Sequence, residues 1–256
     1  ILGYQVDWDQ LTRTVFIRSP KEPIELWGFY ALGSTSYSSW KDAFGAPYPA
    51  VAQNPLADSM EGAFLGWYAI DKEGRVVCEP NPTGFEKPDG WQAVLLQSRL
   101  NELQTFSMYF ADEKSSNVSE ILDDPYRRDM LAKDIARSAR EYDGVLIDFE
   151  GLGLDSFSAA SVQTSFNKFL TTLKENLEGK ALSVAVPPLN SSFLGYDHKF
   201  IGELSDFVVL MAYAYEDPAY PTPTAPFDRI DEAVRLETSL VSPKKIMLGI
   251  PAYGTI

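Results

Sequence analysis

Residues 142–150 read Tyr-Asp-Gly-Val-Leu-Ile-Asp-Phe-Glu. Gly144–Phe149 is almost continuously apolar, as a parallel strand buried on both faces should be. Alternate residues of a strand share one face. Leu146, Asp148 and Glu150 therefore point one way, into a barrel, while Val145, Ile147 and Phe149 face its helices. Burying even one carboxylate costs several kcal/mol unless it is hydrogen-bonded or protonated. Two close carboxylates cannot both ionise freely, so one of them should hold its proton to higher pH. At the C-terminal end of a barrel strand, such a group is suited to general-acid work. The structural alternative is an acid pair that caps the next helix, since Glu150-Gly151 opens a loop.

Outward from this stretch the same alternation repeats. Strands are expected at Leu26–Leu32, Ala63–Ile70, Thr105–Ala111, Gly144–Phe149, Ala181–Val186, Phe207–Tyr213 and Lys245–Pro251. Helical spacing of apolar residues marks Trp91–Leu103, Arg127–Tyr142, Ser161–Leu177 and Arg229–Leu240. Strand starts lie roughly 25–42 residues apart, the length of a βα unit. Seven such units predict an α/β chain folded as a (β/α)8 barrel, a fold of about 250 residues. An eighth strand is missing from the count. A doubly wound open sheet is the fallback, but no Gly-x-Gly-x-x-Gly or P-loop follows any strand. The first residues differ. Leu2–Ile17 alternates like a hairpin that turns near Asp9-Gln10, and Lys21–Pro23 reads as a linker. The expected division is a hairpin over residues 1–20 and the barrel over 21–256. The chain begins with Ile, as a processed or excised piece would.

Composition removes several functions. The 256 residues carry 36 acidic and 22 basic side chains, a net charge of −14. Such a surface repels phosphate backbones and anionic membranes, so no nucleic-acid partner is expected. No apolar run approaches a membrane span, so no membrane insertion is expected, and no signal-peptide pattern opens the chain. One Cys and one His leave no disulfide framework and no expected metal site. His198, in Gly195-Tyr196-Asp197-His198-Lys199, reads as a surface loop residue, with no Gly-x-Ser-x-Gly elbow to partner it. The 13 Tyr, 15 Phe and 5 Trp suit a ring-rich core or a site that stacks sugar faces. Tyr30, Trp67, Tyr109, Tyr215 and Tyr253 fall near strand ends, where rings would line such a groove. For each ring alone, core packing is the competing reading. The loop Pro218–Pro226 is too broken by proline for regular structure.

Four stretches in order resemble glycoside hydrolase family 18. Asp143, Gly144, Asp148 and Glu150 match its fourth-strand signature, Asp-Gly-x-Asp-x-Asp-x-Glu. Leu26–Leu32 resembles its first strand. Phe207–Tyr213 resembles the sixth, with Met211-x-Tyr213, and Lys245–Gly254 the seventh. The flavour is that of the bacterial spore-cortex and germination branch. The resemblance implies a retaining hydrolase of β-linked N-acetylglucosamine glycans, with peptidoglycan or cortex ahead of chitin, and substrate-assisted catalysis without metal or cofactor. Glu150 would protonate the glycosidic oxygen and Asp148 would hold the acetamido N–H. Tyr213 would steady the acetamido group, and Met211 and Glu216 would join the rings as substrate-binding residues. The partner is then an N-acetylated polysaccharide, and the location is outside the cell, in the envelope or on the spore of a bacterium. Residues 2–17 resemble the last hairpin of a copper amine oxidase N-terminal-like stalk domain.

Two positions depart from the family pattern. The middle Asp of the signature is Leu146, so Asp148 loses one like-charged neighbour that it has in the family and is expected to ionise more readily. The Asp that often follows the Tyr is Ala214, with Glu216 nearby as a substitute. Both favour the rival reading of a weakened or inactive chitinase-like carbohydrate-binding protein. A third reading, a direct nucleophile on an unrelated barrel, would need a second carboxyl about 5 Å from Glu150.

Overall fold

A computed structural model describes residues 5–9, 14–18, 24–30, 56–154, 159–190, 192–215 and 223–251. The N-terminal strands β1 (Gln5–Asp9) and β2 (Thr14–Arg18) pair antiparallel as a separate two-stranded sheet. The main sheet contains β3 (Trp27–Tyr30), β4 (Gly62–Ile70), β5 (Val76–Val77), β6 (Gln104–Asp112), β7 (Gly144–Glu150), β8 (Ala181–Val186), β9 (Phe207–Leu210) and β10 (Ile246–Leu248). Between them lie α1 (Trp91–Leu100), α2 (Val118–Asp123), α3 (Pro125–Ser138), α4 (Ala159–Asn176), α5 (His198–Leu204) and α6 (Phe227–Glu237).

The strand order is β10-β9-β8-β7-β6-β4-β3, and every pairing along it is parallel. Only β5 folds back antiparallel, on the end of β4. The order follows the chain and never reverses, which is how a barrel winds and how a doubly wound sheet does not. The sheet also curls. In a flat sheet β3 and β9 would stand five spacings apart, about 24 Å. The rings of Trp27 on β3 and Phe207 on β9 are 5.8 Å apart. The fold is therefore a (β/α) barrel of seven consecutive parallel strands, and an eighth is not among the described elements.

Two cores follow from the alternation of the strands. Val145, Ile147 and Phe149 meet Leu131, Ile135, Phe166, Phe169 and Leu173 of the helix layer. Inside the curl, Leu146 joins Phe64, Phe106, Met108, Ala185 and Val209. Trp27 stacks on Phe64 and meets Phe106 edge-on, each at 5.0 Å, and so fills the floor. Gly144 is needed here: a Cβ would fall 2.7 Å from the Phe106 ring and 2.8 Å from the Ala181 carbonyl. The helices are locally specified. Asp124 accepts hydrogen bonds from the Tyr126 and Arg127 amides and Pro125 opens α3, a favourable N-terminus.

His198 is a correction. It is buried at the start of α5, and its Nδ1 lies 2.8 Å from Oε2 of the fully buried Glu237 at the end of α6. The flanking Gly, Tyr and Asp suggest a loop, but a partner 39 residues away makes the position interior.

Candidate active site

The C-terminal end of β7 carries the expected pair. Asp148 is opposite Phe110 in the β6–β7 register, and Glu150 is opposite Asp112. At the other end of the strand, Asp143 accepts from the Thr105 amide at 2.8 Å and the Thr105 hydroxyl at 3.1 Å. The first acid of the signature thus fixes strand register, while the last two face the interior.

Asp148 is 7% exposed, and its Oδ1 is buried with no hydrogen-bond partner among the described residues. Loss of hydration, followed by the charge of Glu150, pushes its carboxyl up to about 8. Burial thus acts on Asp148 against the easier ionisation expected from the absence of an acid at Leu146. Leu146 is fully buried among Phe106, Met108 and Ala185. Hydrocarbon therefore stands at the position where the family carries an acid, and burial disfavours the charged form of a carboxyl. Glu150 is raised above the usual carboxylate range as well, by burial and then by Asp112.

Neighbouring loops hold this strand end. Tyr196 donates its hydroxyl to the Phe149 carbonyl at 2.5 Å, and the Gly195 amide donates to the Leu152 carbonyl at 3.2 Å. Gly151 and Gly153 take positive φ, 81° and 69°, which lets the chain turn sharply after Glu150. After β9 the chain also turns. The Tyr213 amide donates to the Met211 carbonyl at 2.9 Å, and Ala214 takes φ 62°, a strained value for a residue with a Cβ. Met211 packs against the inner cluster. The Tyr213 ring lies over Gly249, where a Cβ would stand 2.8 Å from its Cε1. The Tyr215 amide donates to the Thr224 carbonyl at 3.1 Å, and partial burial raises its phenol above the ordinary value.

Two expected groove rings lie elsewhere. Trp67 and Tyr109 are fully buried in the helix-facing core. Tyr109 is bound to the Ser138 hydroxyl at 2.7 Å, on the opposite face from Phe110. A register shift between Leu65 and Tyr68 sets Trp67 and Tyr68 on the same side, as a bulge does. Phe110, beside Asp148 in the register, and Phe85 join the inner cluster instead, with centroids 4.6 Å apart. Phe85 comes from the loop after β5, where no strand pattern marks it. The Tyr30 side chain, Glu216 and Tyr253 lie outside the described residues.

The sequence pattern of Glycosyl hydrolases family 18 matches residues 104–256, more than half of the chain. The chain belongs to glycosyl hydrolases family 18. Among family relatives, the putative sporulation-specific glycosylase YdhD of Bacillus subtilis is 31% identical over 168 residues, covering 62% of this chain and 39% of that protein. The cortical fragment-lytic enzyme of Bacillus anthracis is 30% identical over 147 residues, 54% of this chain and 33% of that protein. The chain thus spans between a third and two fifths of these relatives. The crystal structure of the Bacillus cereus spore cortex-lytic enzyme SleL superposes with a TM-score of 0.71 at 20% identity, over 93% of this chain and 53% of that one. At that identity the likeness is one of fold: the family 18 barrel. Among the described residues no helix is long and apolar enough to cross a membrane.

Proposed function

We propose that this family 18 chain hydrolyses β-linked N-acetylglucosamine glycans with retention, using the substrate's own acetamido group, and that peptidoglycan or spore cortex is preferred to chitin. The observation that carries the reading is the interior Asp148–Glu150 pair on β7, in which Asp148 offers a buried Oδ1 without a hydrogen-bond partner among the described residues. An acetamido N–H is a donor of the right kind for that oxygen. Glu150, raised by burial, gives its proton to the glycosidic oxygen as that bond breaks. The acetamido oxygen attacks the anomeric carbon and forms an oxazolinium beside Asp148. Glu150, now a carboxylate, takes a proton from the water that opens the ring, which restores the acid and leaves the anomeric configuration retained. Tyr213 closes the site around the acetamido group, and Met211 and Tyr215 belong to the sugar-binding surface with Tyr30, Glu216 and Tyr253. The cortex preference and an envelope or spore location rest on the names of the relatives. The hairpin is assigned to a unit over residues 1–20 that is separate from the barrel over 21–256.

A second reading, a carbohydrate-binding protein with weakened turnover, is favoured by one observation: Leu146 is sealed in hydrocarbon where the family carries an acid. The deciding measurement compares hydrolysis of N-acetylglucosamine oligomers with their deacetylated counterparts. Turnover of the acetylated series alone is expected, and it should be lost in Glu150→Gln with sugar binding kept. Equal cleavage of both series would remove the assisted mechanism. Binding without any turnover would leave the second reading.

A further inference from the structure

We propose that Asp112 is a positioning residue for the cleavage acid: its carboxylate, anchored across the last rung of β6 and β7, keeps the proton on Glu150. The proposal rests on Glu150 being the acid of the reading above.

The geometry begins with register. Asp112 is the last residue of β6 and pairs with Glu150, the last of β7. Phe106, Met108 and Phe110 of β6 all join the inner cluster, so alternation puts Asp112 on that same inner face. The carboxylate is also fixed. Its Oδ1 accepts from the Ser115 amide at 2.6 Å and from the Ser115 hydroxyl at 2.5 Å. A freely rotating surface acid would swing into water and lose its effect on Glu150 through screening.

Among the described residues, Asp112 is the charge that acts on Glu150. Among the described residues, the ionisable groups that bear on Glu150 are Asp148 on its own strand, Asp112 on β6 and Tyr196 from the loop after β8. Glu113, which also acts on Tyr196, is held by the Ser119 amide and hydroxyl. Among the described residues no Lys, Arg or His pairs with Glu150. Asp148 is itself pushed toward its neutral form by burial, and Asp112 raises Glu150 beyond the effect of burial. A like charge nearby disfavours ionisation, and an acid that must arrive protonated benefits directly.

The test uses Asp112→Asn, which removes the charge but still accepts from Ser115. Carboxyl carbon NMR of the labelled chain follows the Glu150 titration, with the resonance assigned by its loss in Glu150→Gln. The midpoint is expected to move to lower pH in Asp112→Asn at unchanged Tm. The alkaline limb of kcat/KM on N-acetylglucosamine oligomers should move the same way, because the rate falls as Glu150 loses its proton. If Asn disturbs the turn, Asp112→Ser is the second neutral replacement, and the same shift is expected. An unmoved midpoint overturns the proposal, as does a rate lowered at every pH with the limb in place. The titration needs no substrate. A wild-type chain that turns nothing over therefore sinks the hydrolase reading, while the coupling of Asp112 to Glu150 is still decided.

Discussion

Asp148 shows how one residue reports its surroundings twice. An ordinary aspartate titrates at 3.8, and in the fold this one titrates at about 8, chiefly because it is buried. Its folded value is raised, so between those pH values the folded state binds a proton that the unfolded chain has released. Stability from this group is full below about pH 4 and is lost as pH rises through about 8. Asp148→Asn has no proton to lose. Its Tm relative to wild type should climb steadily from pH 4 to pH 8, while turnover falls, a stability–function trade-off. A Tm difference that stays flat with pH would mean the carboxyl is solvated. The sequence shows this pair directly, because alternation along residues 146–150 fixes which side chains share a face. It does not show the neighbours. Asp112 becomes visible only through the β6–β7 register, and Tyr109 is misplaced because it is the residue next to Phe110, which faces the barrel interior.

At the scale of elements, apolar runs between helical patterns locate the seven strands well, since parallel strands are buried on both faces. Their ends are less legible. Met211-Ala212-Tyr213 continues the apolar run of β9, yet the strand stops at Leu210 and the chain turns through Ala214. α5 is missed because its seven residues are too few for a clear period. What holds it is distant in sequence. His198 meets Glu237, and Lys245 donates to the Gly202 and Ser205 carbonyls at 2.8 and 2.7 Å. Glu237 is fully buried, and its Oε1 has no hydrogen-bond partner among the described residues. Removing one member of a buried pair strands the other, at a cost of about 3–5 kcal/mol. His198→Ala should therefore lower the free energy of chemical unfolding by about that much. The double replacement His198→Phe with Glu237→Leu should recover most of the loss, since apolar groups of similar volume need no counter-charge. A double variant as unstable as the single one would show that the pair contributes packing rather than charge compensation.

For the whole molecule, the barrel places a small interior site inside a strongly acidic protein. The net charge of −14 produces a field that reaches about 10 Å at 0.1 M salt. Neutral sugars do not feel that field, but a glycan strand whose stems carry carboxylates does. Its approach is opposed at low ionic strength, and the opposition fades as salt screens the surface. On the proposed function, KM for carboxylate-bearing peptidoglycan strands should fall as salt rises, whereas KM for neutral N-acetylglucosamine oligomers should stay constant. The chemical step should respond little in either case, because Asp148 and Glu150 are set in the interior, where salt screens them less than it does surface charge. The paired measurement separates the two scales. A salt response shared equally by both substrates would place the effect at the carboxyl pair. Absence of any response for the charged strands would mean that the groove mouth is locally neutral despite the charge of the chain.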